Sequence, residues 1–212
     1  MPVRKIPKNY RSVTGTFASI KNKRNVFYES LLERDFFLLL EFDKTVSSYE
    51  EQPIKLYYDR YGKKTKYTPD CLVYYNNDKL PCIHEVKFSN EIKEKKVFLR
   101  QKFEQIEQYL SKNDMEFKLF TEMDIDEIYL DNIKFIYNYS VIRNETKIKY
   151  FKTLFKKFDE ISYIDFLNQY STNRYEQAEA IPYIWYLVLQ NFLEIDLTKK
   201  ISKETVLKAI HE

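Results

Sequence analysis

The sequence contains few of the residues on which several common kinds of functional site depend. Two cysteines, two histidines and two glycines occur among its 212 residues. Cys71 and Cys82 cannot form a disulfide framework and lack the spacing of a zinc site, and two histidines provide little for zinc or for a catalytic triad. No apolar run reaches the roughly 18 residues of a membrane helix, and no apolar stretch follows the first charges as in a secretory signal. We therefore expect a soluble, cytoplasmic protein with no membrane contact.

Aromatic side chains, by contrast, are abundant. The chain has 19 tyrosines and 16 phenylalanines, and 44% of its residues are hydrophobic. Because burial of so much apolar surface is favourable, this composition predicts a folded chain rather than a disordered one. The length suffices for one domain of ordinary size and a smaller second one.

The positive charge is concentrated at the start of the chain, although the net charge is only +3. Residues 1–24 contain seven basic side chains and no acidic one, which leaves 28 basic and 32 acidic residues in the remainder. A basic arm of this kind is typical of contact with a DNA backbone, and a solvated tail that aids solubility explains the same charges equally well. The candidate DNA-binding residues in this arm are Arg4, Lys5, Lys8, Arg11, Lys21, Lys23 and Arg24.

Residues 25–131 have the pattern of a compact α/β domain with a mixed sheet flanked by helices. A helix is predicted over about 28–42, capped by Asn25, because apolar residues recur there at helical spacing. A second helix is predicted over 91–111 and a short one after Met123. The predicted strands are 46–49, 54–58, 66–75, 80–88 and 117–121.

The pattern of residues 132–212 predicts a smaller, mostly helical domain. Helices are predicted over 146–158, 163–170 and 174–189, followed by β-like segments at 192–197 and 201–206. This order predicts a winged-helix-like domain. Since the third helix has one Arg and two Glu, we expect it to contact a protein rather than DNA.

One predicted hairpin brings charged side chains together. If Asn77 and Asp78 are the central turn residues, antiparallel pairing places Asp70 directly opposite Glu85. Lys87 lies two residues beyond Glu85 and points to the same face of the sheet. Two carboxylates and one ammonium group are therefore expected at one place.

Facing carboxylates repel each other unless a cation lies between them. Mg²⁺ suits oxygen ligands and leaves positions for water and a substrate phosphate, and a nearby lysine can stabilise developing charge. This arrangement predicts hydrolysis of a phosphodiester. The competing interpretation is a turn-prone Pro-Asp pair beside an ordinary Glu/Lys pair on a solvated sheet face.

The chain resembles the PD-(D/E)xK nuclease superfamily, and more specifically the TnsA-type endonuclease subunit of heteromeric transposases. The shared blocks occur in the family's order over about 11–122: Thr14–Ser19, Tyr28–Phe36, Phe42-Asp43, Glu51-Gln52-Pro53, Tyr67–Val73, Glu85-Val86-Lys87 and Phe120-Thr121-Glu122. The resemblance implies a restriction-endonuclease-like fold. It also implies a bacterial enzyme that cuts the 5′ strands at transposon ends, together with a DDE-type transposase and an AAA+ ATPase regulator.

The resemblance further implies roles for individual residues. Asp70 and Glu85 would hold Mg²⁺, with Mn²⁺ as a substitute, and Lys87 would be the catalytic lysine. The carbonyl of Val86 would complete the metal shell, and Glu33 would be an additional acid. Lys64 and Lys66, which flank this site, are further candidates for DNA contact.

Two other functions remain open at this level. One is a free-standing restriction or repair endonuclease of the same fold, which would cut DNA without partners. The other is a DNA-binding assembly factor that keeps the fold without catalysis. A metal-binding measurement distinguishes an endonuclease from an assembly factor, because catalytic carboxylates should bind Mg²⁺ or Mn²⁺ and a scaffold need not.

Overall fold

The computed structural model describes residues 13–210, and the chain divides into two compact units at Ile125 and Asp126. This division precedes the predicted boundary at 131/132. The reason is local: the Asp126 side chain accepts a hydrogen bond from Tyr129 N at 3.0 Å and caps a helix that belongs to the second unit. Within the described residues, no helix combines the length and the apolarity needed to cross a membrane.

The first unit is built on a mixed sheet, as predicted, and this sheet has four strands. Its elements are β1 (Gly15–Ser19), β2 (Arg24–Tyr28), α1 (Leu31–Phe42), β3 (Val46–Glu51), β4 (Leu56–Arg60), β5 (Lys63–Tyr67), β6 (Cys71–Tyr75), β7 (Cys82–Val86), α2 (Ser89–Glu94), α3 (Lys96–Ser111) and β8 (Glu116–Phe120). The strand order is β3-β6-β7-β8, antiparallel except for the parallel pair of β7 and β8. The hairpins β1-β2 and β4-β5 pair separately.

Helices cover both faces of this sheet. Phe36 and Phe37 of α1 belong to the same buried cluster as Val73 of β6. On the opposite face, Ile106 of α3 packs in a cluster with Ile83 of β7. Because side chains alternate along a strand, residues of even and odd number on β6 face different helices.

Three predicted elements are wrong in their boundaries or their continuity. The first helix begins at Leu31 with Ser30 as its cap, whereas Asn25, the predicted cap, lies in β2. The predicted strand 66–75 is two strands in different sheets, since β5 ends at Tyr67 and β6 begins at Cys71. Pro69 lies between them, and proline lacks the N–H that a continuous ladder requires. The predicted helix 91–111 is likewise divided, at Lys95.

The second unit contains α4 (Glu127–Tyr137), α5 (Glu145–Phe155), β9 (Glu160–Ser162), α6 (Tyr163–Tyr170), α7 (Arg174–Leu189), β10 (Leu193–Glu194) and β11 (Val206–Ala209). The three short strands form an antiparallel sheet in the order β10-β11-β9. The three predicted helices are present as α5, α6 and α7. The short helix predicted after Met123 is present as α4, which begins at Glu127. The structure adds the short strand β9, and α7 continues through Pro182. The winged-helix assignment stays a prediction.

Candidate active site

The register of the β6-β7 hairpin is the predicted one. Cys71 pairs with His84 and Val73 pairs with Cys82. One further step along both strands places Asp70 opposite Glu85, although Asp70 itself immediately precedes β6. The prediction that these two acids share a face is therefore confirmed by the pairing of their neighbours.

Backbone groups hold Asp70 from two sides. Its Oδ2 accepts a hydrogen bond from Val86 N at 2.7 Å, which ties the carboxylate to the end of β7. Its carbonyl oxygen accepts from Gln52 N at 3.0 Å, at the end of β3. The carboxylate thus has a defined position before any ligand binds.

Glu85 and Lys87 are in direct contact. Lys87 Nζ lies 3.2 Å from Glu85 Oε1, and the glutamate residue is 2% exposed. Lys87 is more accessible, with 21% of its side chain exposed. The expected meeting of acids and an ammonium group at this point therefore exists in the fold.

Two further residues hold the Glu85 carboxylate, and sequence reasoning missed both. Lys102 Nζ of α3 lies 3.1 Å from the same oxygen, Oε1. The Tyr67 hydroxyl donates to the other oxygen, Oε2. The Lys102 ammonium also lies 3.6 Å from the centroid of the Tyr67 ring. Glu85 is thus surrounded by two ammonium groups and one hydroxyl.

A weak signal for Lys102 was present in the sequence. The buried residues of α3 are Leu99, Lys102, Ile106 and Leu110, which form one stripe at helical spacing. A lysine within an otherwise apolar stripe needs a buried partner, because an unpaired ammonium is costly to bury. The identity of that partner depends on which strand faces the helix.

The charged groups shift one another's pKa values. Burial and the nearby carboxylates of Glu85 and Glu33 raise the pKa of Asp70 well above its usual value. For Lys87 burial acts downward, but the carboxylates of Glu85 and Asp70 outweigh it, so its pKa is raised. For Lys102 burial prevails over the attraction of Glu85, and the pKa is lowered.

Glu33 has a structural contact that the sequence analysis did not predict. Its Oε2 accepts from Glu29 N at 2.8 Å, and its own N–H donates to Ser30 Oγ at 3.1 Å. The Ser-x-x-Glu spacing is a signature of such a helix start. Burial raises the pKa of Glu33, and its charge contributes to the raised pKa of Asp70. Glu33 therefore caps α1 near the site, and its role as a ligand stays a prediction.

The predicted DNA-binding residues fall into different groups. Lys21 Nζ donates to the carbonyl of Val46 at 2.6 Å, and Arg24 forms a two-pronged ion pair with buried Glu51 at 2.6 and 2.5 Å. These internal contacts favour a structural role for both, and their assignment to DNA stays a prediction.

The other basic candidates keep their predicted role. Lys23, Lys64 and Lys66 are exposed, so contact with DNA stays open to them. Four candidates lie outside the described residues, namely Arg4, Lys5, Lys8 and Arg11.

The donor set suits a hard cation. Asp70 and Glu85 offer carboxylate oxygens, and Val86 adds a backbone carbonyl between Glu85 and Lys87. Among residues 13–210, no three Asp, Glu, His or Cys side chains are arranged to hold a metal by themselves. Mg²⁺ is usually bound by only one or two carboxylates, with water and substrate phosphate in the other positions. The residues therefore fit Mg²⁺ and lack the ligands of a zinc site.

Two family models match consecutive parts of the chain. One, described as TnsA-like endonuclease N terminal, matches residues 43–122, and the other, TnsA endonuclease C terminal, matches residues 124–197. The chain belongs to the TnsA endonuclease family. This TnsA-type protein is thus an endonuclease of Tn7-type transposition, and its substrate is DNA. No curated protein matches it in sequence.

The matched segments of the TnsA-type chain agree with its architecture. The first match contains Asp70, Glu85 and Lys87, and it ends close to the break between the two units. It begins after α1, so Glu33 lies outside both matched segments.

Lys102 is expected to be coupled energetically to Glu85. Lys102→Met should lower the free energy of unfolding by about 2 kcal/mol, because it removes one charged hydrogen-bond donor from a buried carboxylate that keeps Lys87 and Tyr67 as partners. Glu85→Gln should also destabilise, since it leaves Lys102 buried without a charged partner. The double variant should lose less than the sum of the two losses, and urea denaturation in EDTA measures the difference.

The exposed pair of Arg100 and Glu104 on the same helix provides the control. The cycle of Arg100→Met and Glu104→Gln should show no measurable coupling, because solvent screens the pair. Additive losses in the Lys102 cycle would contradict the assigned contact.

Proposed function

We propose that this TnsA-type protein is a Mg²⁺-dependent endonuclease that cleaves the 5′ strands at transposon ends. It acts with a DDE-type transposase and an AAA+ ATPase regulator. The observation that carries the proposal is the convergence of Asp70, Glu85 and Lys87 at the end of one hairpin, in a chain of this family.

In this proposal Asp70, Glu85 and the carbonyl of Val86 hold the metal, and Mn²⁺ can replace Mg²⁺. The bound ion supplies a Lewis acid for the phosphate oxygen. The Val86 N–H keeps the Asp70 carboxylate oriented. Lys87, whose ammonium lies 3.2 Å from Glu85, acts in this proposal as a cation that stabilises charge on the phosphate.

The two lysines that contact Glu85 Oε1 have different roles in this proposal. Lys102 is held by the Tyr67 ring and is 8% exposed, so it remains with the glutamate. Lys87 is the more accessible of the two and can turn toward an incoming phosphate. Because Lys102 keeps Glu85 compensated, this movement does not leave a buried carboxylate without a counter-charge.

The second unit is proposed to serve as a winged-helix-like domain that contacts the ATPase regulator. Its helix α7 has Arg174, Glu176 and Glu179 as its only charged residues. Such a helix is poorly suited to lie against phosphates, because its acids repel them.

A reconstituted cleavage reaction tests the proposal. DNA with transposon ends is labelled on either strand and incubated with this chain, a cognate DDE-type transposase and the ATPase regulator, with Mg²⁺ or with EDTA. We expect cuts in the 5′ strand only when Mg²⁺ and all partners are present. Equal cutting by the chain alone would instead indicate a free-standing nuclease, and failure of the protein to bind Mn²⁺ in a titration would indicate an assembly factor.

A further inference from the structure

Gln52, the residue that follows β3, has an unusual backbone conformation for a buried residue. Its φ is 45°, in the left-handed region, and it is 6% exposed. Pro53 follows it, and the residue before a proline strongly prefers an extended conformation. Four other described residues besides glycine have a positive φ, and all of them are exposed: Lys23, Tyr61, Asp114 and Asn191. The backbone of Gln52 is therefore held against its local preference in the interior of the first unit.

The side chain of Gln52 adds a second cost. Its Oε1 is buried, and no hydrogen-bond donor among residues 13–210 is paired with it. Buried polar atoms nearly always have a partner, because an acceptor that loses water without gaining a donor destabilises the fold. Backbone strain and an unpaired buried atom on one residue are characteristic of functional sites, where a ligand supplies the missing contact.

The neighbours of Gln52 fix it beside a proposed metal ligand. The preceding residue, Glu51, is buried in its two-pronged ion pair with Arg24 and pairs with Cys71 in the ladder of β3 and β6. The Gln52 N–H then donates to the carbonyl oxygen of Asp70 at 3.0 Å. The side-chain amide of Gln52 is therefore anchored next to the residue whose carboxylate is proposed to hold the cation.

We propose that Gln52 is a positioning residue of the endonuclease site. Its backbone N–H holds the Asp70 segment, and its Oε1 accepts a hydrogen bond from a water molecule in the hydration shell of the cation at Asp70. Mg²⁺ dehydrates reluctantly and keeps several waters, which donate to acceptors around a site. The inference rests on the proposed function, because it requires a cation at Asp70.

A purely structural role fits Gln52 less well. Glycine occupies the left-handed region at no steric cost, and asparagine enters it more readily than glutamine does. A glutamine retained for stability should also use its buried oxygen within the fold, and Oε1 has no such partner among the described residues. The two costs are explained together if the amide serves a ligand of the site.

Gln52→Met tests the side-chain contact, because methionine keeps the length of the side chain and removes the acceptor. Mn²⁺ affinity of the full-length chain, measured by calorimetric titration without DNA, should fall about 10- to 100-fold, as is typical when a residue that supports a metal site from outside its ligand set is lost. The urea midpoint in EDTA should be kept or raised, since an unpaired polar atom leaves the interior.

Gln52→Gly is the second variant, since it removes the same acceptor and also relieves the left-handed backbone. It should lose Mn²⁺ affinity to the same extent as Gln52→Met. Asp114→Gly is the matched control, because Asp114 has a φ of 53° and is exposed after the end of α3. This control should keep the parental Mn²⁺ affinity and the parental rate of DNA cleavage.

The proposal is overturned if either Gln52 variant binds Mn²⁺ as tightly as the parent. It is also overturned if both variants lower the urea midpoint in EDTA, because Gln52 then supports the fold rather than the cation. Failure of the proposed function gives a different result: the parent itself would bind no Mn²⁺, or Asp70→Asn would still cut DNA.

Discussion

Asp70→Asn is expected to lower the rate of DNA cleavage by at least about 10³-fold while the protein stays folded. An asparagine oxygen can still accept the hydrogen bond from Val86 N, so the local backbone contacts remain. Only the negative charge and its capacity to hold a cation are lost. Cleavage of labelled transposon ends by the complete complex, with Mg²⁺, measures the effect.

The same variant is expected to be more stable than the parent in EDTA at neutral pH. The folded-state pKa of Asp70 is raised by burial and by neighbouring carboxylates, so its ionised form opposes folding. The stability gain of Asp70→Asn over the parent should therefore vanish near pH 4, the ordinary aspartate pKa. It should widen as the pH rises to neutral, because more of the unfolded-state carboxyl is then ionised. Urea denaturation across this pH range measures it.

Asp78→Asn is the control for both measurements, because Asp78 is exposed in the loop of the same hairpin. It should change neither cleavage nor stability. Full cleavage by Asp70→Asn would exclude the proposed site, and a loss of stability at neutral pH would contradict the assigned environment of the carboxylate.

Lys87→Met is expected to lower cleavage by about 10²- to 10⁴-fold, since it removes the cation proposed to stabilise charge on the phosphate. Mn²⁺ affinity, measured by titration without DNA, should be kept or increased, because the ammonium competes with a metal for Glu85. A catalytic role thus predicts lost cleavage with retained metal binding.

Lys95→Met is the matched control for this lysine. Lys95 pairs with Glu91 at 3.1 Å and has 55% of its side chain exposed. Its removal should leave cleavage close to the parental rate. If Lys87→Met and Lys95→Met behaved alike, Lys87 would be one of several interchangeable surface cations.

Local chemistry explains why part of the site could be predicted. Asn77 and Asp78 marked the turn, and the two-residue period of a strand then placed Asp70 opposite Glu85. The structure has this register, although the ladder is short and Asp70 precedes the strand. The wrong prediction of one strand over 66–75 arose because a run of β-formers was not divided at Pro69.

The missed residues have a different cause. Lys102 is 17 positions from Glu85 in sequence and meets it only because α3 packs on the face of the sheet where Glu85 points. Arg24 and Glu51 are 27 positions apart in sequence and likewise meet only in the folded chain. No spacing rule joins such residues, since their contacts follow from how helices and hairpins pack.

By itself, the sequence determined the mixed α/β class, the hairpin register and the shared face of Asp70, Glu85 and Lys87, because turn chemistry and strand alternation act between near neighbours. Only the tertiary structure decided which of the basic residues are paired internally and which are exposed. It also decided that Lys102 and Tyr67 enclose Glu85. Burial and charge pairing depend on distances across the fold, which no local pattern encodes.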